Sequence, residues 1–495
     1  MDWRLTGSIV TLLDLTDRDA QENDIFPLDT ETTWFTRDQD RKTIEFTPQV
    51  QTIPFRGPAE FGQHFLFEIG SILTGDLLFG TTLQLELSHW LDDATRLQLE
   101  AGTIRYTDVS GAWEYANSLG TACIQSAELE IDGKTIEKID GDFINVVSLL
   151  FADYNSQIGV AYDHIGRVPI SMLREAVYPN TGSPIPPYIT GPRSYPTEDG
   201  FINCPLPFFF SRVKYQEALS MAAIKDGLAR IRVVLRPFSE IVRQMRGYRD
   251  TCTSVPLDIP ISFTNVKTGA ITTVQTNPVE PRLKSVSLLT HGAILNGEIR
   301  EKMIYSPFET LHREVQTFSF DQPAKYVVSK QTDTVLVQLP LEANHPVEEI
   351  LWFVRRKGTG INNEWTNYTD TLEQEWDSSY VGLVKPLLVS AGLQVNGIQY
   401  IQAEEQYFRQ HIAAKHPGGH APYSNYVYGI SFAETPGKHQ PSGSINASRA
   451  NSIRLNLEVR PPGGVLDGSW EIKVFCIGMN WLRFENGLAN PVFED

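Results

Sequence analysis

Glu434-Thr-Pro-Gly-Lys-His-Gln-Pro-Ser-Gly-Ser-Ile-Asn-Ala-Ser-Arg449 is followed, after Ala450, by Asn451-Ser-Ile-Arg-Leu-Asn-Leu-Glu-Val459. The first part reads as a loop, because it holds two Pro, two Gly and small polar residues without apolar periodicity. The second part alternates. Ile453, Leu455, Leu457 and Val459 share one face, and Arg454, Asn456, Glu458 and Arg460 share the other. A period of two predicts a half-buried strand. Pro461-Pro-Gly-Gly464 ends it, since Pro offers no N–H to a ladder and Gly tolerates reversal.

The same alternation recurs upstream. Phe65, Phe67 and Ile69 mark one strand, and Leu83, Leu85 and Leu87 another. Ala127-Glu-Leu-Glu-Ile131 runs into Asp132-Gly133, a hairpin-turn signal. Ala229-Arg-Ile-Arg-Val-Val-Leu-Arg-Pro237 is a further strand stopped by Pro. Later strands are expected near 260–264, 284–289, 315–320, 334–339 and 345–355. Helical spacing is confined to short runs: Asp140–Leu150, with Phe143, Val146, Val147 and Leu150 on one face, and, as helix or strand, Trp113–Gly120. Residues 152–204, rich in Pro, Gly, Tyr and Asn, read as a long surface insertion, and 357–377 as a polar, Trp-bearing loop.

The chain also repeats itself. Leu129-Glu-Ile-Asp-Gly133 matches Leu393-Gln-Val-Asn-Gly397 at a shift of 264, which places Phe143 on Tyr407. Ile231–Pro237 matches Ile453–Pro461 in kind: each is an alternating, Arg-bearing strand closed by Arg-Pro. A chain of 495 residues exceeds one ordinary core. Many short strands, few helices, long loops and two copies give an all-β class: two consecutive jelly-roll β-sandwiches, a double jelly roll with short helices and long loop insertions. The expected division is an N-terminal arm over 1–24, a first jelly roll over 25–238 and a second over 239–495.

A net charge of −18 opposes general binding to nucleic acid. No apolar run reaches the roughly 18 residues that span a bilayer, and the first residues lack the basic-then-apolar pattern of a signal peptide. Cys123, Cys204, Cys252 and Cys476 form no C-x-x-C motif, so reduced thiols and an intracellular folding site are expected.

Five motifs lie in chain order: Pro205-Leu-Pro-Phe-Phe-Phe-Ser-Arg212, His345-Pro-Val-Glu-Glu-Ile-Leu-Trp-Phe-Val354, Leu393-Gln-Val-Asn-Gly397, Tyr407-Phe-Arg409 and His439-Gln-Pro-Ser-Gly443. With Trp34-Phe-Thr-Arg37 and Phe55–Gly62 near the start, the set resembles the major capsid proteins of nucleocytoplasmic large DNA viruses. Asp132, Gly133, His345, Pro346, Trp352, Asn396, Gly397, His439, Gln440, Pro441, Ser442, Gly443 and Arg449 are the structural signature positions it marks. Arg37-Asp-Gln-Asp-Arg41 departs from it, being more acidic than the family's basic run. The resemblance implies a structural subunit without catalysis or cofactor. It implies homotrimers forming pseudo-hexagonal capsomers that tile an icosahedral shell. The implied partners are neighbouring capsomers, penton and minor capsid proteins. An internal viral membrane would lie nearby with no direct contact to nucleic acid, and assembly would take place in cytoplasmic viral factories.

Other chemistry is weaker. Gly133-Lys-Thr135 lacks the Gly-rich loop of a phosphate site. His411, His416 and His420 have no evident fourth zinc ligand and read as incidental in a flexible loop. Asp140/Asp142 and Glu348/Glu349 read as solvated acids, the latter two on opposite strand faces. Asn367 and Asn446 open glycosylation sequons. The alternative is a carbohydrate-binding or glycoside-cleaving two-domain β-sandwich, with Trp352, Trp365 and Trp376 as platforms and Glu364 or Glu375 as acids.

Overall fold

In the computed structural model, the strand Ile453–Val459 buries Ile453, Leu455, Leu457 and Val459 and exposes Arg454, as alternation dictates. The structure describes residues 45–87, 93–106, 113–151, 165–166, 201–212, 217–224, 228–244, 259–276, 283–321, 334–356, 363–370, 385–416, 426–460 and 470–493. The arm 1–24, Trp34–Arg37, most of the insertion 152–204, Cys252, Glu375, Trp376 and His420 lie outside the described residues.

Ile453–Val459 sits between Val335–Leu341 and Leu388–Val395, and Ile398–Glu404 forms the edge. The first half builds the same sheet in the order His64–Ile69, Ala229–Leu235, Ile124–Ile131, Lys134–Ile139. Even the register repeats. Ile231 lies opposite Leu129 and Phe67, as Leu455 lies opposite Leu393 and Leu339.

Each of these sheets has a companion. In the first half its order is Phe46–Pro54, Leu283–Leu295, Leu77–Leu87, Phe201–Leu206; in the second it is Phe308–Asp321, Trp470–Glu485, Pro346–Arg356, Val427–Ser431. Both halves cross between their two sheets in the same sequence along the chain. That shared wiring is a jelly roll made twice. Both hairpin turns have φ > 0 at their central pairs, Asp132-Gly133 and Asn396-Gly397, the type I′ geometry that suits Asx-Gly between twisted strands. Asp132 N–H donates to Leu228 O, and Asn396 N–H to Ser452 O, so the copies match in this detail also.

The expected boundary at 238/239 differs from the strand placement. Leu283–Leu295 pairs with Leu77–Leu87 along its length and is the last strand of the first sandwich. The second sandwich starts with Phe308–Asp321, after the helix Gly297–Tyr305. The Arg-Pro stop at Arg236-Pro237 reads as an end. In fact the chain leaves on an excursion, pairing Val242–Gln244 with Trp113–Tyr115 and Ile259–Asn265 with Ile104–Tyr106, before returning. Pairing across such a gap leaves no local signature.

Trp113–Gly120 resolves into a strand, Trp113–Tyr115, then the short helix Leu119–Ala122. Gly141–Leu150 is helical as its spacing predicts. Cys123, Cys204 and Cys476 are buried, and burial pushes the Cys123 and Cys476 thiols up to about 12. Cys123 and Cys476 are therefore inert core residues. Thr47–Asp495 form one compact unit. Among the described residues no helix is long and apolar enough to cross a membrane.

Candidate functional site

The two sandwiches meet along a seam built on the helix Gly141–Leu150. Asp140 caps that helix, its Oδ1 accepting from Phe143 N–H at 2.7 Å. Gly141 is required by close approach, since a Cβ there would meet Thr121 O at 2.3 Å and Ile124 O at 2.4 Å. The helix is buried on both sides. One side faces its own sandwich. On the other, Phe143 packs against Phe475 of the second sandwich, with ring centroids 5.3 Å apart, and Asn145 Nδ2 donates to Tyr368 Oη at 2.7 Å.

Buried ions lock this contact. Arg355 donates to Asp142 at 2.9 Å, to Glu471 at 2.8 Å and to Trp365 O at 2.6 Å. Lys473 pairs with Asp140 at 2.9 Å and also with Asp142. Burial opposes ionisation of Asp142, but Arg355, Lys473 and Arg236 outweigh it and hold the carboxyl well below the usual range. Burial raises Asp140, reinforced by the charge of Asp142. Trp365 stacks on the Arg236 guanidinium at 3.9 Å and lies 5.2 Å from that of Arg355; its Nε1 donates to Glu240 O at 2.7 Å. A second cluster lies further along the seam. Arg313 donates to Glu348 at 2.5 Å, to Glu217 and to Lys438 O, and Arg212 pairs with Glu137.

The loop 434–449 borders that second cluster. His439 lies 4.0 Å from Glu217. Ser442 Oγ accepts from Thr435 N–H at 2.9 Å and donates to Thr435 O, pinching the loop shut. Gly443 lets the chain pass Phe432, whose carbonyl would lie 2.6 Å from a Cβ. Gly443→Ala is expected to lower unfolding free energy by about 1–2 kcal/mol, since backbone must shift to admit one methyl; urea unfolding followed by tryptophan fluorescence measures it. His345, at φ 63°, donates its N–H to Ser448 Oγ at 2.8 Å and pairs its ring with Glu314 at 2.5 Å. Pro346 then pairs with Asn446 at the head of the strand. Trp352 is fully buried against Phe408 and Tyr428. Gln440 and Arg449 are exposed, and Pro441 is half-buried.

Two family profiles match this chain. The one described as major capsid protein N-terminus covers residues 33–268, and the one described as large eukaryotic DNA virus major capsid protein covers 300–490. The chain belongs to the large DNA virus major capsid protein family. The major capsid protein of Lymphocystis disease virus 1 (isolate Darai) is 22% identical over 98% of this chain and 98% of its own length. That of Pyramimonas orientalis virus is 29% identical over 43% of this chain and 50% of its own length. Among solved structures, PBCV-1 VP54, in a crystal structure fitted into a reconstruction of the virophage Sputnik, superposes with a TM-score of 0.63 at 17% identity, covering 93% of this chain and 100% of that one. The Faustovirus major capsid protein gives 0.58 at 15% identity over 97% and 98%. Both likenesses concern the double jelly-roll fold.

A capsid protein is a structural subunit, and the seam is built accordingly. Several sequence readings are corrected by it. Asp140, Asp142, Glu348 and Glu349 are buried or nearly so rather than solvated. Glu348 and Glu349 do face opposite ways, to Arg313 and to His416 respectively. His411 and His416 are not in a flexible loop. His411 stacks on Tyr407 within the helix Glu405–Lys415, and His416, its C-cap, packs on Phe151 at 4.1 Å. The polar segment around Trp365 belongs to the buried seam, with Asn363, Glu364, Asn367 and Tyr368 each at most 2% exposed. Trp352, Trp365 and Glu364 thus provide no sugar platform or cleft acid. Asn367 Nδ2 donates to Glu364 at 2.8 Å inside the protein, leaving a glycan no room there, whereas Asn446 is exposed.

Sequence reasoning missed Arg313, Arg355 and Lys473 altogether. The one available signal was a charged residue at a buried register, such as Arg355 within an apolar strand.

Proposed function

We propose that this capsid protein assembles as a homotrimer whose six sandwiches form one pseudo-hexagonal capsomer, and that such capsomers tile an icosahedral shell. The observation that carries the reading is the duplicated sandwich: two units of one wiring in each chain, so that threefold symmetry yields six similar walls. The buried ionic seam suits this role, because it holds the two sandwiches of a chain as one rigid wedge. Neighbouring capsomers, penton and minor capsid proteins are then the partners. The net charge of −18 supports a shell that does not touch nucleic acid. An internal membrane and cytoplasmic viral factories belong to the same reading, as does the structural role of the 434–449 loop.

Light scattering on the purified chain tests it, with negative-stain images of the same peak. The expected mass is about 167 kDa, three times 55.7 kDa, with hexagon-outlined particles. A well-folded monomer would overturn the trimer.

A further inference from the structure

We propose that the tip of the loop, residues 434–443, is a lid held shut over the seam by a proton on Glu217, and that it opens when Glu217 ionises. The device lies within one chain and does not depend on the trimer.

The cluster beneath the tip carries one carboxylate too many. Its cations are Arg212 and Arg313, and its carboxylates are Glu137, Glu217 and Glu348. Both sandwiches supply them. Glu137 lies on the strand Lys134–Ile139, Arg212 on the helix Phe209–Arg212, Arg313 on Phe308–Asp321 and Glu348 on Pro346–Arg356. None of the five side chains is more than 8% exposed. His312, beside Arg212, adds no charge because burial keeps its ring neutral, and Glu349 points away to His416. Two cations against three carboxylates leave one negative charge away from water. Such a charge costs more than the neutral acid, so one carboxyl keeps its proton.

Hydrogen bonding selects Glu217. Glu348 takes two donations from Arg313, from Nε at 2.5 Å and from Nη2 at 3.4 Å. Glu137 pairs with Arg212 and also accepts Phe209 N–H at 2.7 Å. Glu217 receives Arg313 Nη1 on Oε1, while its Oε2 is buried without a hydrogen-bond partner. The carboxylate with the fewest donors gains most from a proton. Burial accordingly pushes Glu217 up to about 7, against the pull of Arg313 and Arg212. Burial raises Glu348 as well, but there the bonds from Arg313 oppose it directly.

The tip lies between this carboxyl and water. His439 sits 4.0 Å from Glu217 with its own side chain 45% exposed, and Lys438 O accepts from Arg313 Nη2. Among the described residues, these are the polar contacts that tie 434–443 to the sandwiches. The segment that follows is fixed independently. Asn446 pairs with Pro346, Ala447 N–H donates to His345 O, and Ser448 Oγ accepts His345 N–H. The tip can therefore lift without disturbing a strand. Lifting it gives up two polar contacts but lets water reach Glu217, which is the larger gain once Glu217 is charged. In the closed state Glu217 lies above its ordinary 4.5, so a proton favours closure. That preference is complete below 4.5, weakens as pH rises and is gone above about 7.

Hydrogen exchange read by mass spectrometry on the full chain tests this, with each rate corrected for the intrinsic effect of pH. Protection of 434–443 is expected to fall by at least about tenfold between pH 5 and pH 7 and to level off above that, with no matching fall in the strand Ile453–Val459. Glu217→Gln keeps the shape of the protonated acid and cannot ionise, so its tip is expected to stay protected with no dependence on pH. His439→Gln removes the other titratable group that faces Glu217 and is expected to keep the wild-type dependence. A wild-type tip whose protection does not change with pH would overturn the proposal, as would a dependence that survives Glu217→Gln. Loss of the dependence in His439→Gln would place the proton on the imidazole instead, and a parallel fall in Ile453–Val459 would mark unfolding of the whole sandwich; either result refutes the lid.

Discussion

Arg355→Met is expected to lower the unfolding free energy by about 3–5 kcal/mol, because it strands buried carboxylates rather than removing a surface charge. The Arg355 side chain is 1% exposed and Asp142 4% exposed. Water cannot replace the guanidinium. Met keeps most of the aliphatic bulk, so the effect isolates the charge. Lys473 remains beside Asp142 and limits the damage, which is why total loss of folding is not expected. Adding Asp142→Asn should recover part of the loss, since the orphaned charge is then gone; Lys473 still has Asp140 at 2.9 Å. Denaturant unfolding of wild type, both single variants and the double variant gives the coupling directly. Additive effects would show that the seam does not act as a unit. The position of Asp142 and Arg355 on different sandwiches also makes this a measurement of what holds the sandwiches together.

Acid should find a different weak point. His312 is 2% exposed and packs on Phe209 at 4.9 Å. Burial, with the charges of Arg212 and His345, pushes it down to about 3. As pH falls below the ordinary 6.5, the unfolded chain takes up a proton that the folded chain refuses. Stability from this group is thus complete above 6.5 and is lost progressively as pH falls toward about 3. Glu217 works in the other direction: burial pushes it up to about 7 against Arg313 and Arg212, so its contribution is greatest below the ordinary 4.5 and is lost as pH rises through about 7. The two partly cancel in the wild type, and the histidine is read only by difference. His312→Phe is expected to gain on wild type by about 3 kcal/mol between pH 7 and pH 4, measured as urea unfolding at each pH. A constant difference across that range would refute the assignment.

Strands, turns and the duplication were legible in the chain because each is a local property. Ile453, Leu455 and Leu457 point inward since successive side chains on a strand alternate, and Asp132-Gly133 and Asn396-Gly397 turn because their backbones accept φ > 0. The order of motifs carried the family for the same reason: it is written in the residues. The seam was not legible. Asp142 and Arg355 are 213 residues apart, and each looks like a solvated charge until folding removes the water around both. The end of the first sandwich was hidden likewise, because Leu283–Leu295 meets Leu77–Leu87 only across a long excursion. Sequence by itself determined which residues alternate, where the chain turns and that the design is repeated. Tertiary structure alone decided which charges are buried and which helix is covered. Desolvation depends on what packs alongside, and no pattern along one strand encodes that.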